Sequence, residues 1–498
     1  MKLQNLIHIL IGIVCIGLLP KAQAVIPAPD GGYPGGNTAE GQNALFSLTT
    51  GGFNTAVGWF SLDSLTTGSF NTGVGAGTLV LNSGDENTAT GVGALLVNTT
   101  GGFNTANGAL ALLNNTTGAT NTATGANALF NNTEGTSNTA VGFAALSSNT
   151  IGNGNTAIGE SALLSNSADS NTAVGFQALQ GNTTGINNTA NGAFALAFNT
   201  TGNRNNAVGS RALFSHTTGD FNNAVGAFAL NSDTAGVSND AFGDGALNSN
   251  TTGVQNTAVG DSALGSNTTG SGNTANGDNA LLNNDTGSDN IALGFDAGLN
   301  VSTANDVICI GNIGQNVSNS CFIGQIFGVT SSGGTAVFIN SAGQLGTGTS
   351  SRRFKEEIKP MGETSEALFA LKPVTFRYKR GIDPQSIPQF GLVAEDVEVV
   401  NPALVVRDKE AKPYSVRYDA VNAMLLNEFL KEHKKVEEQE ATITKLKATA
   451  TEQEARATKQ EAAIVYQQKQ IEVLSAGLQR VSAQLEASKP APQVVNNP

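Results

Sequence analysis

The chain has 498 residues, of which 13% are charged, and carries 60 glycines and a net charge of −13. That charged share is about half the usual one, Gly does not fall at every third position, and no basic face is visible. Collagen and a nucleic-acid-binding protein are thereby excluded. Charge is also unevenly placed: between Val25 and Thr349 only Arg204 and Arg211 are basic, whereas Lys, Arg and Glu are dense from Arg352 onward. Two physically different objects are predicted to join near residue 350.

The N-terminus reads as a signal peptide: Lys2, an apolar run from Leu6 to Leu19, then Ala22-Gln23-Ala24 as a small-residue cleavage site. Pro20 and Lys21 close the run before it reaches the roughly 20 residues of a membrane anchor. An exported protein, secreted or held at the cell surface, is expected, with no membrane span in the mature chain. Cys15 would leave with the signal. Cys309 and Cys321 could then pair as a disulfide, or sit as small apolar residues in two successive coils. No His lies near them, and no metal or cofactor is expected.

From Asn37 the sequence repeats. Asn-Thr-Ala-x-Gly, or a looser copy of it, begins at Asn37, Asn54, Asn71, Asn87 and so on to Asn290, with a spacing of 17 that slips to 16 twice. Each of the sixteen units continues with an Ala-Leu segment and then Asn-Thr-Thr-Gly, as in residues 171–187. A unit this short cannot fold alone, so the copies must stack. Gly and Asn recur too often for helix. Two short strand-like pieces per unit are predicted, bounded by turn residues. The third position (Ala) and the later Leu should point inward, small then large, while equal-phase Asn and Thr should form ladders along the axis. The invariant Gly at position five implies positive φ or close backbone approach. The variable fourth position should lie on the surface or at a subunit contact. Calcium-binding nonapeptides are absent, Asn-x-Thr triplets follow from the repeat itself, and a Thr-rich face that binds ice is a minor alternative.

These repeats resemble the heads of trimeric autotransporter adhesins over roughly residues 30–325, although the period is longer and the adhesins' C-terminal membrane barrel is missing. The resemblance implies a trimeric parallel β-roll.

After a Gly/Ser/Thr-rich stretch, 326–349, comes Ser350-Ser351-Arg352-Arg353-Phe354-Lys355. Alone this is a helix cap and first turn. It is followed by Pro373-Val374-Thr375-Phe376-Arg377-Tyr378 and then Gly391-Leu392-Val393-Ala394-Glu395-Asp396-Val397. This order resembles the C-terminal intramolecular chaperone domain of phage endosialidase tailspikes and related fibres. That family shows Ser-Asp-x-Arg-x-Lys at its cleavage site, then Pro-Val-x-Phe-x-Tyr and Gly-x-x-Ala-x-Glu-Val. The departure is Ser351 at the Asp position. The resemblance implies Ser350 as nucleophile, Lys355 as its partner, Thr349–Ser350 as the scissile bond, and a homotrimer. A Ser hydroxyl needs a base, and a Lys amine serves only when neutral. Lowering a Lys pKa from about 10.4 to neutrality takes about 4 kcal/mol of local environment, which burial on assembly and neighbouring Arg352 and Arg353 would favour.

From Leu425 heptads run to Leu485. One seam is Phe429, Val436, Ile443, Ala450, Ala457, Ile464, Ile471, Leu478 and Leu485; its partner mixes Leu425, Leu446, Leu474 and Val481 with Glu432, Gln439, Gln453, Gln460 and Gln467. A parallel coiled coil is predicted, whose buried amides penalise slipped registers.

The predicted fold is thus mainly β. A signal peptide (1–24) precedes a solenoid head (25–325), a linker (326–349), a small α+β chaperone/peptidase domain (350–424), a coiled coil (425–487) and a disordered tail (488–498). The function expected is a secreted trimeric fibre that binds a cell-surface or extracellular glycan or protein, its only chemistry a single-turnover self-cleavage. The alternative is an exported glycan-binding or glycan-cleaving enzyme, which would need paired carboxylates. The scattered Asp63, Glu134, Glu160 and Asp169 do not suggest a pair.

Overall fold

The computed structural model describes residues 33–488, so the predicted signal peptide and nearly all of the tail lie outside it. The described chain forms two compact units that divide between Thr330 and Ser331.

The first unit is a parallel β-solenoid. Eighteen short strands, from β1 (Thr38–Glu40) to β18 (Ser320–Ile323), pair in chain order and in parallel as one sheet. Register is fixed by the repeat, so that Ala207 meets Ala224 and Ala224 meets Ala241. At about 4.8 Å per strand the stack runs about 80 Å. The middle residue of each strand points inward and is Ala in most coils, fully buried. Ala and Leu from the opposite side complete the core, as with Ala229 and Leu230. A typical coil therefore buries three apolar side chains, only one of them large, and most of the remaining interior is amide.

Those amides form two ladders. In the first, Asn256 donates from its main chain and side chain to Asn239 Oδ1 at 3.0 and 3.1 Å, and its Nδ2 also reaches Gly270 O at 2.9 Å. In the second, Asn267 donates to Asn250 Oδ1 at 2.9 Å and to Gly270 O at 3.0 Å. A buried amide left unpaired costs about 1–3 kcal/mol, and the equal phase of the copies pairs nearly all of them. Outside, Thr hydroxyls repeat the pattern, Thr251 Oγ1 reaching Thr268 O at 2.9 Å. The two sixteen-residue units lose a residue in the turn after the second ladder. Asn82 there bonds Gly84 O two residues on, where Asn115 bonds Gly118 O three residues on.

The second strand-like piece predicted for each unit is not a strand. The buried Leu of each coil has φ between 50° and 54°, and the residue two before it is also left-handed. A coil of seventeen residues around so thin a core must turn sharply, and these residues turn it. Coil-to-coil bonds persist there regardless, as in Leu247 N to Ala263 O at 3.0 Å. At position five the sequence reading holds. Gly243 has φ 146°, and a Cβ on it would run into the carbonyl oxygen of Gly260 in the next coil. The core changes character towards Thr330: Val301 and Val307 replace the ladder amides, and Cys309 takes the inward strand position. Cys309 is buried and Cys321 exposed, both as free thiols. Cys321 stands opposite Ile308 and Cys309 opposite Phe322, so the two thiols lie on opposite faces of the sheet and form no disulfide.

The second unit opens with an antiparallel hairpin, β19 (Val337–Ile339) and β20 (Leu345–Thr347). Its turn is set by Asn340 Oδ1, which accepts from the amides of Ala342 and Gln344. Two further antiparallel pairs follow, β21 (Val374–Phe376) with β22 (Gln389–Gly391) and β23 (Val405–Arg407) with β24 (Pro413–Val416). Between them lies α1 (Ala394–Val400), and the unit ends in α2 (Tyr418–Ala487), a helix of 70 residues. Its core consists of Val397, Leu404, Val405, Val416 and Met424. That is few side chains for a domain of this size. Along α2 the heptad seam is open to solvent, with Phe429, Ile443, Ile464 and Leu478 all exposed.

Candidate functional site

Ser350 follows β20 by three residues, and a single 3-10 turn, Arg352–Phe354, brings the chain back. Two bonds shape this turn: Phe354 N to Ser351 O and Lys355 N to Arg352 O, both 3.0 Å. The reversal carries Lys355 over Ser350, and Nζ lies 3.1 Å from Oγ. The two residues inferred from the motif are therefore in hydrogen-bond contact, and both are solvent-exposed in the single chain. Arg353 turns its guanidinium onto the Phe354 ring, 4.6 Å from the centroid. Ser351, which stands where the tailspike family has Asp, makes no side-chain cap of the turn.

Gly348 and Thr349, on the other side of Ser350, line an open depression between the β19–β20 hairpin and the β23–β24 pair, with Arg407, Tyr414 and Arg417 opposite. Arg407 is engaged by Glu398 and by Ala411 O.

Residues 350–406 match the family model described as chaperone of endosialidase. No curated protein and no solved structure matches the chain. The chaperone-of-endosialidase domain thus begins at Ser350 itself, directly after a hairpin and in the same chain as a parallel β-solenoid. Its match ends within β23. The last residues of the folded unit and all of α2 lie beyond it.

Sequence reasoning missed two polar clusters. In the chaperone unit, Glu428 of α2 accepts from Ser365 Oγ at 2.5 Å and Lys431 Nζ at 2.8 Å, while Asn427 Nδ2 donates to Ser365 Oγ at 2.6 Å. These bonds fasten the 3-10 helix Gly362–Ala370 to α2. Lys431 foremost, then Ser365, hold the Glu428 carboxyl below the usual carboxylate range, against the opposing effect of burial. In the solenoid, His216 pairs with Asp233 one coil on, both fully buried. The signal for this pair in the sequence is the seventeen-residue spacing from His216 to Asp233. No hydroxyl bonds the pair, so it is not a hydrolytic triad.

The acids considered for a glycan-cleaving site do not converge. Asp169 is held by Asn153 N at 2.7 Å in the coil before, whereas Glu160 follows its own strand at the other end. Asp63 is partly buried, which raises its carboxyl above the usual range. Among the described residues no group of three potential metal ligands is found, and no helix is long and apolar enough to cross a membrane.

Proposed function

We propose that the chain is an exported, trimeric, adhesin-like fibre whose C-terminal domain assembles three copies and then cuts itself off at Thr349–Ser350. The observation that carries the reading is the 3.1 Å contact between Lys355 Nζ and Ser350 Oγ at the first residue of the family match.

Ser350 Oγ attacks the Thr349 carbonyl carbon as Lys355, unprotonated, takes the hydroxyl proton. The C–N bond breaks, the proton passes to the leaving Ser350 amine, and Thr349 is left as an ester on Oγ. Water then hydrolyses the ester to a Thr349 carboxylate and a free Ser350 N-terminus. An exposed lysine is a poor base because water favours its charged form. Desolvation by neighbouring copies would supply what the single chain lacks, so cleavage would report finished assembly. Two features support assembly: the slender core of the chaperone unit and the solvent-exposed seam of α2. Apolar seams repeated at seven residues are buried against partner helices.

Intact mass of the full chain tests this. Two fragments divided at Thr349–Ser350 are expected, and none from Ser350→Ala or Lys355→Ala. An uncut native chain, or an equally cut Ser350→Ala, overturns the reading.

A further inference from the structure

The second amide ladder changes chemistry at one place. From Asn82 to Asn199 and again from Asn250 to Asn284 its rungs are Asn, all buried; between them stand His216 and Asp233, both with no solvent exposure. An ordinary rung donates Nδ2 to the coil before it, as Asn199 does to Asn182 at 2.6 Å; Asn166, in a sixteen-residue unit, instead bonds only Ala168 O through its Nδ2 and leaves Asn149 Oδ1 unpaired. His216 donates the opposite way. Its Nδ1 faces Asp233 Oδ2 at 2.6 Å in the coil after, and its Nε2 faces Gly219 O at 2.7 Å in its own turn. Asp233 Oδ1 accepts from Asn250 Nδ2 at 2.7 Å, restoring the original direction. Asn199 Oδ1, abandoned by the reversal, is buried without a partner.

We infer that this pair is a proton-dependent seam in the solenoid. Gly219 O needs a hydrogen on Nε2, and the contact of Nδ1 with Asp233 Oδ2 needs one between the two atoms. Removing one leaves two lone pairs opposed inside a dry core, beside an acceptor already unsatisfied. No other charge compensates. The coil before offers neutral Asn199; the coil after offers Asp233 and then Asn250. The surface charges of these coils are engaged elsewhere: Arg204 over Phe221, Arg211 over Phe194, Phe214 and Phe228, and Asp220 on Asn203. An unfolded histidine loses its proton near pH ~6.5 and an unfolded aspartate gains one near ~3.9. Keeping the geometry of the pair above the first of these values requires a proton to be taken up on folding, so the seam's contribution falls as pH rises above about 6.5. The coils around residues 199–250 open first in alkali.

Hydrogen exchange of the full chain at about pH 5.5 and about pH 8.5, corrected for intrinsic rates, tests the seam. Amide protection in coils 199–250 is expected to fall about tenfold or more at the higher pH, while coils 104–138 stay constant. The double variant His216→Asn/Asp233→Asn, which rebuilds the ladder, should lose this difference and gain protection at both pH values. Constant protection across coils 199–250 in the native chain overturns the inference without reference to any variant. So does a double variant that keeps the native pH dependence.

Discussion

Two glycines in the same coil show how unequal positions of one residue type can be. Gly243 is left-handed with φ 146° and meets the next coil's backbone, so no side chain fits. Gly245, two residues on, has φ 62° and open space around it, its nearest neighbour being Ser262 Oγ at 3.7 Å. At that phase other coils carry Leu110, Phe194, Arg211 and Ser262, all with φ between 55° and 60°. The strain is therefore accepted by ordinary residues at the second position and forbidden at the first. Gly243→Ala is expected to destabilise the solenoid by about 3 kcal/mol or more, because the displaced neighbour is backbone rather than a movable side chain. Gly245→Asn should change it by less than about 1 kcal/mol, since Asn tolerates this conformation. Urea unfolding of the two variants beside the native chain checks the contrast, and equal losses would contradict it.

Among elements, the joint between the 3-10 helix Gly362–Ala370 and α2 has a pH response set by one carboxyl. Its Glu428 carboxyl is held low by Lys431 and Ser365. A depressed carboxyl contributes stability that is present above its unfolded value of about 4.3 and lost as pH falls through its lower folded value. Thermal unfolding of the chaperone unit between about pH 3 and pH 6 should show this acid loss, and Glu428→Gln should flatten it; an unchanged slope in the variant would refute the role. This joint was hidden in the sequence because Ser365 and Glu428 are 63 residues apart and obey no period. Periodic features were legible: the strands from Ala at a spacing of seventeen, the ladders from Asn at equal phase, the helix from its heptads. The contact of Ser350 with Lys355 was legible only through the family motif, since Ser-Ser-Arg-Arg-Phe-Lys alone reads as a helix cap. The second face of each coil was not legible, because its left-handed corners fall on Leu, Phe, Arg and Asn rather than on Gly. There the requirement to close a small loop overrides intrinsic preference.

At the scale of the whole molecule, the solenoid is a sum of nearest-neighbour contacts, so its length is adjustable only in whole units. Deleting residues 256–272 removes one unit and joins Gln255 to Asn273. Asn273 then donates to Asn239 in place of Asn256, and Asn284 reaches Asn250 in place of Asn267, so both ladders close again. Deleting only 256–264 puts Gly265 at the first ladder position and Asn267 at the inward strand position that Ala258 occupies. The first site loses its amide, and the second buries one without the acceptors that phase provides. An unpaired buried amide costs about 1–3 kcal/mol, and the two coils at the junction meet out of register. The whole-unit deletion should therefore keep native-like protection from exchange in flanking coils, with the head shorter by about 4.8 Å. The half-unit deletion should expose the coils on both sides of the junction to exchange and to protease. If both deletions behaved alike, stability would reside within coils rather than between them, and the ladders would be ornament. On the proposed reading of an assembling fibre, near-identical rungs would leave several registers between copies close in energy, and a feature outside the period, such as the amide-marked seam of α2, would tell one register from the next.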